Sequence, residues 1–359
     1  MRYVLIMAGG SGKRLWPLSR QGMPKQLLKI VGGSSLLRIA YERIEGLVPP
    51  ENVLVCTGAD YAEVVAAELP EIDPANILGE PEGRDSLNAI AWPAAILAAR
   101  DPDAVMAVVA SDHVISPVHN FRSALVEGFT VAETDPQALV TFGVMPSSAH
   151  TGYGYLQRGA AVPGHPGVHA VLAFKEKPDP KTAQHYLTSG DYWWNSGMFV
   201  WQARTFLEQV HHLLPDTHLA VNALAAAPER LAEIYPTLIK ISVDYAVMEP
   251  TSLGHTAAHV VAVPLPITWH DVGGFGSLRS QYLLDEHGNA ASGTNVLVDS
   301  RDNLVINSAG DGRLLAAVGL RDMVVVQTDQ ITVVCPMSEA ERIKELVGEV
   351  AERLGPSYT

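Results

Sequence analysis

The sequence predicts an α/β protein. A large domain with a mostly parallel, mixed sheet covers residues 1–284, and a small β-rich domain covers 285–359 and ends in a helix. Three observations predict this. Short, continuously apolar runs alternate with helix-period segments through the first half, the pattern of βαβ units whose sheet is covered on both faces. After about Asp285 the texture changes to short β-rich pieces separated by Gly, Asp and Ser turns. The closing segment, Glu339–Leu354, has an amphipathic helical pattern.

In chain order, Tyr3–Met7, Val53–Thr57, Asn76–Gly79, Ala104–Ala110 and Leu139–Val144 read as buried strands. Between them, Ser35–Leu47, Ala59–Leu69, Ser86–Arg100 and Asn120–Glu133 read as helices. Leu36, Leu37, Ala40, Ile44 and Leu47 fall on one helical face. The middle of the chain offers strands at Val168–Phe174, Gly197–Gln202 and His259–Val263, and helices at Arg204–His211 and Leu219–Ala227. The tail offers strands at Asn295–Val298, Asn303–Asn307, Leu314–Val318, Met323–Gln327 and Thr332–Cys335.

Composition narrows the function. A net charge of −14 argues against a general nucleic-acid surface. Yet Met1–Tyr41 contains no Asp or Glu, while Arg2, Lys13, Arg14, Arg20, Lys25, Lys29 and Arg38 all fall there. An acidic protein with one basic segment can bind a small polyanion. No run reaches the ~20 apolar residues of a membrane span, and Met1–Met7 reads as a strand rather than a leader. A soluble, cytoplasmic protein without membrane or nucleic-acid partners is expected. The two cysteines, Cys56 and Cys335, sit in apolar runs without metal-ligand spacing and are expected to be buried thiols.

The segment Ala8-Gly9-Gly10-Ser11-Gly12-Lys13-Arg14 directly follows the first strand. In open α/β sheets, ligands sit beyond the carboxyl ends of strands. Glycines let backbone N–H groups approach phosphate oxygens closely, and Lys13 and Arg14 add charge. Arg14 stands where a P-loop needs Ser or Thr, and Leu15 where a dinucleotide fingerprint needs Gly. The loop is therefore a phosphate cradle of another kind.

Gly9-Gly10-Ser11-Gly12-Lys13-Arg14-Leu15-Trp16-Pro17-Leu18-Ser19, followed by Pro24-Lys25-Gln26-Leu27, resembles the signature of the sugar-nucleotide pyrophosphorylases. The resemblance recurs along nearly the whole chain. It implies a Rossmann-like nucleotidyltransferase domain with a C-terminal extension. The Trp16-Pro17-Leu18-Ser19 form looks most like the branch that joins GTP to mannose 1-phosphate.

The resemblance also implies residue roles. Gly9, Gly10, Ser11, Gly12, Lys13 and Arg14 would hold the nucleotide together with Glu80, Arg84, Asn88 and Ser111. The helix-opening string Asp85-Ser86-Leu87-Asn88 replaces the branch's usual Asn-Thr-Ala-Pro. Asp112, in Ala110-Ser111-Asp112-His113, and Asp271, in Trp269-His270-Asp271-Val272-Gly273, would bind Mg²⁺ or another divalent ion such as Mn²⁺. Two carboxylates plus substrate phosphates and water suit that hard ion. His113 and His270 are read as structural, since magnesium rarely selects imidazole.

Gly154, in the turn Thr151–Tyr155, Glu176, in Phe174-Lys175-Glu176-Lys177-Pro178, and Asn195, in Asn195-Ser196-Gly197, would face the sugar. A carboxylate accepts from paired hydroxyls, and an amide offers a donor and an acceptor. Asp244 and Glu249 lie in a segment similar to one near the sugar side, though salt bridges would explain them equally well.

Arg14, Lys25 and Lys177 would act catalytically by neutralising phosphates. The expected reaction is in-line attack of a sugar-phosphate oxygen on the α-phosphorus. It relies on alignment and charge stabilisation without a protein nucleophile. A different nucleotide and hexose phosphate, or a non-catalytic relative, remain alternatives. The tail either forms a homodimer contact or packs on the core.

Overall fold

The computed structural model describes residues 1–10, 12–20, 22–30, 32–310 and 312–359. By its internal contacts the chain divides into two compact units. One is Met1–Gly9, Ala40–Ser111 and Ile115–Trp269. The other is Gly10–Ile39, Asp112–Val114 and His270–Thr359.

The strands are β1 (Arg2–Ala8), β2 (Val53–Gly58), β3 (Ile77–Glu80), β4 (Val105–Ala110), β5 (His113–Ser116), β6 (Ala138–Val144), β7 (Tyr155–Val162), β8 (His165–Lys175) and β9 (Tyr192–Gln202). They continue as β10 (His259–Pro264), β11 (Thr268–Asp271), β12 (Ala290–Ser292), β13 (Asn295–Val298), β14 (Leu304–Asn307), β15 (Leu315–Val318), β16 (Met323–Gln327) and β17 (Thr332–Pro336).

The first unit is built on a nine-stranded sheet of order β3-β2-β1-β4-β9-β6-β10-β8-β7. The β3-β2-β1-β4 half is wholly parallel, as is the β6–β10 pair. Strands β8 and β9 run against the rest. Central strands read as unbroken apolar runs because both faces are covered. Leu5, Leu54, Met106, Val108, Leu139 and Trp201 pack with Leu87, Ile90, Ala91 and Ala94 of the helix Asp85–Arg100. Side chains of opposite parity, Phe142 and Val200, meet the other face, where Gly128 of the helix Val118–Thr134 lets them approach.

The second unit is a short coil of strands. β12, β14 and β16 form one parallel ladder and β13 and β15 another, so successive strands alternate between two sheets. β17 closes the first ladder antiparallel. Ala290, Leu304, Ile306, Val324 and Val326 point inward together with Leu15, Trp16, Leu28 and Leu36 of the N-terminal loop region. Ile343 and Val347 of the helix Ile343–Leu354 cap the same core.

Among the described residues four strands and four α-helices lie outside the expected pattern, three of the helices being the short Leu231–Ile234, Glu249–Ser252 and Phe275–Arg279. Strands β5, β7, β11 and β12 and the helix Pro180–Ser189 carry too few apolar residues in period to announce themselves. β9 begins at Tyr192 rather than Gly197, because the Asn195-Ser196-Gly197 string is strand, with Gly197 at φ 69°. The closing helix starts at Ile343, and Met337–Arg342 before it is a 3-10 turn. Cys56 is a buried thiol, but Cys335 is only half-buried, since β17 is an edge strand. Among the described residues no helix is long and apolar enough to cross a membrane.

Candidate active site

In the second unit the glycine-rich turn is shaped by contact with Lys25. Gly12 has φ 62° and opens the 3-10 turn Lys13–Leu15. A Cβ on Gly12 would lie 2.7 Å from Cβ of Lys25 and 3.2 Å from Oγ of Ser19, so only glycine fits. Ser19 Oγ donates to the Gly12 carbonyl at 2.6 Å and fixes the turn. Arg14 Nε is 3.0 Å from Glu341 Oε2, an exposed pair, and Lys13 is exposed. Gly10 is described with this turn, whereas Ser11 lies outside the described residues.

Lys25, on the 3-10 turn Lys25–Leu27, donates from Nζ to Asp112 Oδ2. Burial alone would raise the Asp112 carboxyl. The Lys25 charge, with His113 and the Lys25 hydrogen bond behind it, instead holds it down at about 2. His113 is buried, with Nε2 3.9 Å from Asp112 Oδ1. Asp271 is brought alongside by backbone pairing, the Val272 N–H donating to the Asp112 carbonyl at 2.9 Å. Two acids distant in sequence thus share one local strand pairing, immediately next to the basic turn.

This donor set fits a hard divalent ion. Asp112 is ionised throughout the working pH range, and both side chains offer oxygen. Among the described residues no three His, Cys, Asp or Glu side chains are grouped to enclose a metal. Two carboxylates suit an ion that keeps water and takes phosphate oxygens, and do not suit a structural zinc.

In the first unit, β3 ends at Glu80. This buried carboxylate accepts from the Tyr235 hydroxyl, and burial raises its pKa against that hydrogen bond. A Cβ on Gly9 would lie 3.6 Å from Glu80 Oε2. Arg84 reaches Glu82 and the Pro236 carbonyl. Asn88 is fully buried. Its amide donates to the Arg84 carbonyl at 2.9 Å and the Ile239 carbonyl at 2.7 Å, while Oδ1 has no hydrogen-bond partner. Ser111 is buried and donates its N–H to the Met7 carbonyl.

A second cluster of the same unit gathers Gly154, Glu176, Lys177 and Asn195. A Cβ on Gly154 would stand 2.5 Å from Glu176 Oε2, so this glycine is what admits the carboxylate. Glu176 is buried and lies 2.9 Å from Lys177 Nζ. Lys177 has φ 45°, a left-handed backbone that is unusual for a side-chain-bearing residue and re-aims the chain after β8. Burial would lower the Lys177 pKa, but the Glu176 hydrogen bond and charge raise it.

Asn195 is held at both ends. Its Oδ1 accepts from Thr141 Oγ1 at 2.8 Å and its Nδ2 donates to Asp244 Oδ1 at 3.0 Å. Desolvation, with the Glu176 charge next, pushes Asp244 up to about 7. Tyr153 stacks on His150 at 4.0 Å and lies 4.7 Å from Trp269 and 5.3 Å from Trp194. Aromatic walls of this kind suit the apolar faces of a sugar. Thr141 and His150 give no signal in the sequence, and Trp269 enters there only as the first residue of the Asp271 string. Thr141 sits mid-strand in β6, and only the fold reveals what its hydroxyl touches.

Comparison with known proteins fits this geometry. Residues 3–287 match the nucleotidyl transferase family. The chain belongs to that family. In this nucleotidyl transferase, residues 293–350 also match the MannoseP isomerase/GMP-like beta-helix domain. A mannose-1-phosphate guanylyltransferase of Klebsiella pneumoniae is 37% identical over 355 residues, spanning 96% of this chain and 72% of that protein. The xanthan biosynthesis protein XanB of Xanthomonas campestris pv. campestris strain B100 is also 37% identical, with the same shares covered. A crystal structure from Thermus thermophilus, described as a mannose-1-phosphate geranyltransferase, superposes with a TM-score of 0.85 at 33% identity. It covers 97% of this chain and 99% of that one.

Proposed function

We propose that this nucleotidyl transferase moves the guanylyl group of GTP onto mannose 1-phosphate, giving GDP-mannose and pyrophosphate. The observation that carries the chemistry is the Lys25–Asp112 pair beneath the Gly12 turn, with Asp271 on the adjoining strand. The choice of GTP and mannose 1-phosphate is supported by likeness, over 96% of the chain, to a relative named for that reaction.

A sugar-phosphate oxygen attacks the α-phosphorus, the bond to the β-phosphate oxygen breaks, and pyrophosphate leaves with its electron pair. The attacker is already an anion, so no protein base is needed. Repulsion among anions is the barrier, and fixed cations and N–H groups lower it. Gly9, Gly10, Gly12 and Lys13 would approach the nucleotide through their backbone. Arg14 and Lys25 would neutralise the triphosphate, exchanging Glu341 and Asp112 for phosphate oxygens. Glu80, Arg84, Asn88 and Ser111 would serve the nucleoside. Asn88 would do so through its one unpartnered oxygen or by fixing the Arg84 backbone.

Asp112 and Asp271 would hold Mg²⁺, or Mn²⁺ in its place, which when bound draws charge from the phosphate oxygens. Glu176 would accept from sugar hydroxyls, oriented by Gly154 and Asn195, and Lys177 would hold the sugar phosphate. We place the reaction in the cytoplasm, where nucleoside triphosphates are made. A homodimer contact is proposed on paired strands β13 and β15, whose Val296, Val298 and Val318 are exposed.

Pyrophosphate release, measured for each of GTP, ATP, UTP and dTTP with each of mannose, glucose and galactose 1-phosphate, tests the reading. GTP with mannose 1-phosphate should give the highest kcat/KM, by at least about tenfold, with turnover abolished by chelation of the divalent ion. A higher value for any other pair would overturn the substrate assignment.

A further inference from the structure

The turn that carries Lys25 has a second side. Leu27 and Leu28, the residues that complete it, line a cavity of about 390 Å³ within the second unit. That is the size of a small-ligand pocket. Tyr282, Ser308 and Thr328 line it as well, together with Arg20 and Lys29. Arg14, Lys25, Asp112 and Asp271 do not line it, so its occupant would be a different molecule from the nucleotide proposed above.

The lining defines the occupant by charge and polarity. Arg20 hydrogen-bonds the neutral Gln330 side chain at 3.0 Å, and neither Arg20 nor Lys29 is ion-paired to a carboxylate among the described residues. Among the described residues of the wall the one acid is Asp329, already engaged, its Oδ1 accepting from the Gly310 N–H at 2.8 Å. A guanidinium fork and an ammonium on one cavity lining match a phosphate monoester. The hydroxyls of Ser308 and Thr328 donate to the Gln327 and Ile331 carbonyls and keep acceptor lone pairs that match the hydroxyls of an organic part, and Tyr282 and Leu27 match its apolar face.

We propose that this cavity binds a small hydroxylated phosphate monoester, a sugar phosphate or a nucleoside monophosphate. Its occupancy is transmitted through Leu27 and Leu28 to Lys25. A ligand wedged behind the turn fixes or shifts the 3-10 geometry that presents Lys25 to Asp112. It thereby changes how readily Lys25 exchanges that carboxylate for phosphate. The effect on turnover rests on the function proposed above, whereas the binding does not.

Calorimetry on the full chain tests it, with inorganic phosphate, ribose 5-phosphate and AMP as probes. Wild type, Arg20→Ala and Ser308→Trp are compared; Ser308 is exposed, so its replacement fills the cavity mouth without disturbing the core. Ribose 5-phosphate or AMP should bind wild type, and at least tenfold more weakly to both variants, whose probe-free turnover stays within about twofold of wild type. The tighter of the two esters identifies the source. A saturating probe should shift the wild-type KM for the triphosphate by roughly fivefold or more, within the usual range of site coupling, and leave both variants unmoved.

Binding that survives both substitutions, no binding of either ester, or inorganic phosphate binding as tightly as the esters would each overturn the site. Binding without a KM shift would overturn its link to Lys25. Because the calorimetry needs no turnover, a failed pyrophosphate assay and a failed cavity are told apart.

Discussion

At the scale of single residues, the proposed chemistry turns on Lys25. Its ammonium is the counter-charge that keeps the half-buried Asp112 ionised despite desolvation. Lys25→Ala should cut turnover by about 10²–10³, the usual loss when one preorganised charge-stabilising group goes. Thermal unfolding should show the fold retained. The acid that loses its cation should rise in pKa, because burial remains; a carbon-13 titration of the Asp112 carboxyl reads this directly, and an unmoved carboxyl would show that Lys25 is not its partner in solution. Gly12, Lys25 and Asp112 are legible in the sequence because each stands inside a contiguous string whose chemistry is local. Asp244 is not. The sequence offers it only as an acid, in a segment similar to one near the sugar side, that a salt bridge would explain equally well, and its half-buried place beside Glu176 appears only when the chain folds. With a folded-state pKa of about 7 against an unfolded value near 4, the protonated acid is the one the fold favours. The stability it contributes is present below about pH 4 and is lost as pH rises through 7. Asp244→Asn removes that ionisation. The variant's Tm relative to wild type should therefore be higher at pH 8 than at pH 5, and a pH-independent difference would show that Asp244 does not titrate there.

Among the elements, those with one dominant period are the ones the sequence predicts. β4 is apolar throughout, β1, β2, β6 and β10 each carry a single polar side chain (Arg2, Thr57, Thr141 and His259), and the helix Asp85–Arg100 carries its core residues in helical register. β9 is half hidden because Asn195 and Ser196 occupy buried strand positions, where an amide and a hydroxyl are tolerated only when hydrogen-bonded. Function has put polar groups where the pattern of a strand needs apolar ones. The β-coil has its own version of this. Asn303 is fully buried, donating to Asn289 Oδ1 at 2.8 Å and the Leu320 carbonyl at 3.1 Å, and accepting from the Met323 N–H at 2.9 Å. Polar asparagines thus tie three consecutive turns of the coil together, and their composition makes them read as loop. Asn303→Leu leaves the Met323 main-chain N–H without its acceptor, at a cost of about 1–3 kcal/mol, and takes from the Leu320 carbonyl one of its two donors, the Arg301 N–H remaining. A loss of roughly 2 kcal/mol or more of unfolding free energy in urea is expected, against less than about 0.5 kcal/mol for an exposed control such as Asp299→Asn.

For the molecule as a whole, the division of labour does not follow the order of the chain. Residues 285–359 read as a tail, a contact for a second copy or a cover. Most of that tail packs with Gly10–Ile39, so the phosphate turn and the β-coil belong to one compact unit. Leu15, Trp16, Leu28 and Leu36 share a core with Leu304, Ile306, Val324, Val326, Ile343 and Val347. The Trp16 indole donates to the Tyr358 carbonyl at 2.7 Å, and Arg14 meets Glu341. Sequence periodicity could not reveal this, because a shared core between segments roughly 300 residues apart leaves no local pattern. It makes a strong demand. A chain ending at Leu284 would expose those four N-terminal side chains, each worth about 1.5–3 kcal/mol of burial. The core around Leu5, Met106 and Trp201, which draws nothing from beyond residue 284, would stay intact. The truncated chain should keep its α/β circular dichroism yet lose turnover by about 10² or more, since the turn presenting Lys25 has lost its support. Trypsin should cut it after Lys13, Arg14, Arg20, Lys25 or Lys29 well before the rest of the chain. Full turnover with a trypsin-resistant loop would mean that the coil is an appendage. The prediction separates the two cases because an appendage or a dimer contact can be removed without unpacking Leu15 and Trp16, whereas half of a shared core cannot.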